Sequence, residues 1–98
     1  MAKYQEIKVN MEELKRKTKI LKALSHPARL CIVKGLLNIG SSNVSNLQNC
    51  MEMPQSTVSQ HLAKLRSAGI IKGEREGVQV NYSVVNEDAK RIIESLFE

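Results

Sequence analysis

Residues 53–71, MPQSTVSQHLAKLRSAGII, decide the fold. Val58, Leu62 and Leu65 recur at i, i+4 and i+7, so a helix started at Pro54 buries one stripe. Gln55, Ser56, Ser59, Gln60 and Lys64 then fall on or near the opposite face, and Gly69 supplies the stop. An outward row of small polar side chains suits hydrogen bonding to base edges and phosphates, and a helix fits the major groove of duplex DNA. A surface for protein partners would more often carry aromatic or methionine anchors.

Before this helix the chain spells three others. In residues 10–24, Met11, Leu14, Leu21 and Leu24 have helical spacing, Asn10 is a plausible N-cap, and Glu12 and Glu13 lie in the first turn. Ser25 and His26 break that helix. Pro27 occupies the first position of a second helix running to about Asn38 and closed by Gly40. Asn43 caps a short third helix in which Val44, Leu47 and Met51 face inward. After the fourth helix, β-branched residues flank GEREG, and Val78, Val80 and Tyr82 alternate at period two, predicting a hairpin from Ile70 to Val84. A closing helix from about Asn86 to Phe97 carries Ile92, Ile93, Leu96 and Phe97. The expectation is one domain over residues 1–98, mainly α with a β-hairpin wing in the order ααααββα, with residues 1–9 as a flexible arm.

The segments KALSHPARLCIVKGLL at 22–37, MPQSTVSQHLAKLRSAGII at 53–71 and REGVQVNYSV at 75–84 resemble the second helix, recognition helix and wing of the ArsR/SmtB family of bacterial repressors. Within that family the chain resembles the PagR-like repressors. The resemblance implies a winged helix-turn-helix homodimer whose first and last helices form the interface, through Leu14, Leu21, Ile92, Ile93, Leu96 and Phe97. It also implies a near-palindromic double-stranded DNA operator with half-sites on the order of 34 Å apart. On the matching positions, Gln55, Ser56, Thr57, Ser59, Gln60 and His61 are groove-contact candidates, Lys64 a phosphate contact, and Arg75 a contact from the wing tip. His61 adjoins Leu62 and packs locally on the alternative reading. Wings of this family often place a basic residue just after the turn glycine, whereas Gly77 precedes Val78 and Gln79, and Glu74 and Glu76 flank Arg75. Such a wing predicts a shallow salt dependence or greater reliance on the helix.

Charge and composition narrow the function further. Of the fifteen Lys and Arg, nine lie in residues 1–40 against three acidic groups, so the +5 net charge is concentrated in the first two helices. The run KRKTK at 15–19 is a solvated face, a DNA contact, or a complement to the acidic closing helix across the dimer interface. Three aromatics, Tyr4, Tyr82 and Phe97, are too few for a base-stacking platform. No apolar run spans a bilayer and no signal peptide is visible, so a cytoplasmic protein without a membrane partner is expected.

Many ArsR/SmtB relatives sense metals. The thiol pair of their soft-metal sensors would fall at Asn43 and Ser45, and the closing helix lacks the histidine of their zinc sensors, so no metal, cofactor or small-molecule ligand is expected. Cys31 and Cys50 read as inert thiols by default, with redox sensing through either as an alternative. Neither an enzyme nor a protein-interaction module is favoured: no His, Cys and carboxylate constellation occurs at useful spacing, and only the weakly charged wing argues for an interaction module.

Overall fold

The computed structural model describes residues 8–48 and 52–97. Cys50, the inward-facing role of Met51 and most of the expected N-terminal arm lie outside them. The elements run α1 (Met11–Leu24), α2 (Pro27–Ile39), α3 (Val44–Leu47), α4 (Gln55–Ser67), β1 (Ile71–Glu76), β2 (Gln79–Val84) and α5 (Glu87–Leu96).

Three of the four long helices, α1, α2 and α5, begin where the sequence offers a side-chain cap. The Asn10 side chain accepts from the Glu13 N–H and that of Asn86 from the Ala89 N–H, satisfying donors that a helix start leaves unpaired. α2 is started by Pro27 and by His26, whose Nδ1 accepts from the Ala28 N–H at 3.0 Å. Arg29 Nε donates to the Ala23 carbonyl at 2.6 Å, fixing the corner between α1 and α2.

α4 is inserted into the centre of the core. Val58, Leu62 and Leu65 are fully buried among Ile32, Val33 and Leu36 of α2, Leu47 of α3, and Ile70 and Ile71 beyond the helix. Its end is a Schellman turn: Gly69 takes a φ of 78°, the Gly69 N–H donates to the Arg66 carbonyl, and the Ile70 N–H reaches back to Leu65. Leu65 and Ile70, both buried, make the apolar pair that accompanies this turn.

The chain then enters a two-stranded antiparallel sheet with Ile71 opposite Val84 and Glu76 opposite Gln79. This register corrects the expectation of a turn at GEREG. Gly73 to Glu76 belong to β1, and the turn is the pair Gly77–Val78, with Gly77 at a φ of 63° that suits the first central position of a tight hairpin. Gly73 is needed for a different reason, because a Cβ there would lie 2.9 Å from Val80 Cγ1 and 3.0 Å from the Tyr82 ring. A further pairing was not foreseen: Ser42, just before α3, forms an isolated antiparallel bridge with Tyr82, with N–H···O distances of 3.0 and 2.7 Å.

The apolar residues of α1 divide between two faces. Ile20 and Leu24 enter the core, whereas Met11, Leu14 and Leu21 stay exposed. On α5 the expected interface set also divides. Ile93 is 2% exposed and sits in the core of its own subunit, which removes it from the interface set, while Ile92 packs partly against that core. Leu96 and Phe97 remain exposed. Charge pairing between α1 and α5 occurs within the chain, where Lys17 donates to Asp88, which also accepts from Arg91 at 3.0 Å. Complementarity between these helices therefore does not require a partner subunit.

Leu62→Ala removes a buried side chain at the centre of this cluster. The expected cost is about 2–5 kcal/mol, read as a lower denaturation midpoint with little change in slope.

Candidate nucleic-acid interface

The outward side of α4 follows from its inward side. With Val58, Leu62 and Leu65 committed to the core, Gln55, Ser56, Ser59, Gln60 and Lys64 are exposed, and Thr57 is half-buried. None of the exposed five makes a side-chain hydrogen bond to another described residue. Their amides and hydroxyls are therefore open to a ligand along more than two turns of helix.

His61 lies differently from its neighbours. Its ring packs against that of His26, with centroids 4.6 Å apart at 49°, and its Nδ1 is buried without a hydrogen-bond partner among the described residues. Desolvation holds its pKa below the ordinary histidine value, reinforced by the nearby His26, Arg29 and Lys64. These contacts correspond to the local-packing alternative and turn one ring nitrogen into the protein.

Arg75 is also displaced from its expected position. It lies within β1 opposite Val80, and the wing tip is the 98% exposed Val78. Lys72 and Glu74 pair with each other at 2.7 Å on the exposed strand, and this pairing holds the Glu74 carboxyl below its usual range. The tip itself is thus uncharged.

Between the helices and the wing the structure adds residues that the outward row of α4 does not include. Asn43 accepts from the Asn46 N–H through its Oδ1 and donates through Nδ2 to Gln79 Oε1 at 3.2 Å, joining the start of α3 to the wing. With the Ser42–Tyr82 bridge, this fixes the wing beside the first turn of α4. The cap role of Asn43 was legible in its type and position, but its long-range partner carried no sequence signal.

Cys31 is disulfide-bonded, in contrast to the free thiol expected of it. Cys50 is the only other cysteine of the chain and lies outside the described residues.

Comparison with known proteins bears on the family and the fold. Residues 26–72 match the model of the arsR family of bacterial regulatory proteins. The transcriptional repressor PagR of Bacillus anthracis is 37% identical over 89 residues, covering 91% of this chain and 89% of PagR. The chain belongs to the ArsR family. The crystal structure of PagR superposes with a TM-score of 0.81 over 89% of this chain and 99% of that one. Reduced HlyU from Vibrio cholerae, 32% identical, superposes with a TM-score of 0.80 over 88% of this chain and 90% of its own. A homodimeric winged helix-turn-helix DNA-binding domain from Mycobacterium bovis, 28% identical, does so with a TM-score of 0.79 over 98% and 86% of the two chains.

The His26–His61 contact gives this ArsR-family fold a pH dependence with a defined sign. A histidine whose folded pKa is lowered binds its proton more readily in the unfolded chain, so stability falls as pH drops through the ordinary histidine range. Thermal melts of His61→Asn across that range are expected to show a shallower acid limb than the parent.

Proposed function

We propose that this protein is a cytoplasmic transcriptional repressor that binds a near-palindromic double-stranded DNA operator as a homodimer, without catalytic activity and without a metal cofactor. The observation that carries the reading is the uninterrupted exposed row of Gln55, Ser56, Ser59 and Gln60 on a helix whose other face is fixed in the core. Those side chains supply the donors and acceptors that distinguish base pairs in the major groove. Lys64 contributes a phosphate contact from the same helix. Similarity to a transcriptional repressor over most of both chains supports the repressor role.

The exposed apolar residues of α1 and α5 support the dimer. Met11, Leu14, Leu21, Leu96 and Phe97 are each more than 40% exposed, which is costly in an isolated subunit of this size. Two copies joined through these helices would present two α4 helices to successive turns of one face of the duplex.

Genomic footprinting tests the assignment. Ser56→Ala with Gln60→Ala is expected to abolish discrete protected sites, and unchanged occupancy would refute the role of α4. Leu14→Lys with Phe97→Lys should yield a monomer in light scattering and lose specific binding with it; a dimer that persists would remove α1 and α5 from the interface.

A second reading concerns regulation, and the disulfide at Cys31 favours it. Reduction would free the Cys31 sulfur at α2, the helix that packs beneath α4, and so offers a route from thiol chemistry to the DNA-binding face. Operator affinity of the parent should differ between oxidised and reduced protein. The difference should vanish in the double Cys31→Ser, Cys50→Ser variant; a peroxide response equal to the parent's would end this reading.

A further inference from the structure

A cleft of roughly 220 Å³ runs between the first turn of α4 and the wing. Asn43, Ser45, Gln55, Val78, Gln79 and Tyr82 line it, and among the described residues no charged side chain does. Gln55 belongs both to this cleft and to the outward row of α4, so the two surfaces are continuous.

Two observations indicate what the cleft holds. The Gln79 side chain uses its Oε1 to accept from Asn43, which orients the amide and leaves its two N–H donors without another acceptor among the described residues. The Ser45 hydroxyl is exposed and likewise unbonded among them. Donors unpaired among the described residues, that of Gln79 oriented by Asn43, therefore line a neutral polar cleft. Duplex geometry supplies a matching object: a sugar–phosphate strand separates the major groove from the neighbouring minor groove, so with α4 in the first, that strand passes between α4 and the wing.

We propose that the cleft is a seat for a DNA backbone phosphate, held by the uncharged donors of Gln79 and Ser45, with Asn43 positioning Gln79. The assignment rests on the DNA-binding function above. It explains how a wing with an uncharged tip engages a polyanion: the seat orients the backbone by hydrogen bonds instead of by neutralising it. By strand register, Glu76 lies directly opposite Gln79 and is the carboxylate that opposes a phosphate there.

Neutral and charged contacts differ in how binding responds to salt, because only a neutralising cation releases counterions, with a slope change of about 0.9 per phosphate. The test is a fluorescence anisotropy titration with a mixed-sequence duplex about three helical turns long, repeated over a range of salt concentrations. Backbone contacts do not depend on sequence, so no operator is needed. Gln79→Ala should weaken binding several-fold at every salt concentration, with the parent's slope. Gln79→Lys should steepen the slope by about 0.9 per subunit, while Asn38→Lys, placed at the far end of α2, should leave it unchanged. Glu76→Gln should tighten binding. A Gln79→Lys slope equal to that of the parent overturns the seat while leaving DNA binding intact. A parent protein without salt-dependent duplex binding overturns the DNA-binding reading and the seat with it.

Discussion

The burial of one row of α4 is the constraint from which the rest follows. Val58, Leu62 and Leu65 are each less than 2% exposed, so the helix cannot rotate about its axis without lifting large aliphatic groups out of the core. At about 1.5–3 kcal/mol per fully buried Val or Leu side chain, a rotation that exposed two of the three would cost about 3–6 kcal/mol, comparable with the lower end of the stability of a small domain. The orientation of the polar row is therefore set by hydrophobic packing on its far side. The Schellman turn at Gly69 extends the same control to the wing, because Ile70 and Ile71 enter the core as soon as the helix ends.

Much of this architecture was legible because it is written in short-range periodicity and in punctuation by Asn, Pro and Gly. The starts of α1, α2 and α5 fall at their expected caps, and the four-helix, hairpin, helix order emerges from the pattern alone. Where the sequence misled, the competing residues were local equals. GEREG carries two glycines and three charged groups, all signals of a turn, yet the chain turns at Gly77–Val78, where pairing can run from Ile71 to Glu76 without interruption. On α5, Ile92 and Ile93 are indistinguishable by type, and only the packing of the helix shows that Ile93 belongs to the core and the exposed surface to Leu96 and Phe97.

The candidate site divides in the same way. Its outward row was readable because it is the complement of a helical stripe. The contacts that tie the wing to α3 were not, since Ser42 and Tyr82, or Asn43 and Gln79, share no pattern that announces a partner so far along the chain. His61 was ambiguous for a related reason: it flanks the buried stripe, and the ring it packs against is that of His26, the cap of another helix.

The Ser42–Tyr82 bridge also bears on the order in which the molecule assembles. The two residues it joins enclose all of α3, α4 and β1, whereas the hairpin between β1 and β2 closes over a two-residue turn. Local closure is faster than closure over a long loop, which forms no contact until its ends have met. Closure entropy therefore favours a hairpin formed before it docks and a bridge added once α4 has found the core. Contacts made that late affect the escape rate from the native state more than the rate of reaching it. On this ordering the bridge acts as a kinetic latch on the wing, bearing more on how long the fold stays assembled than on how quickly it forms.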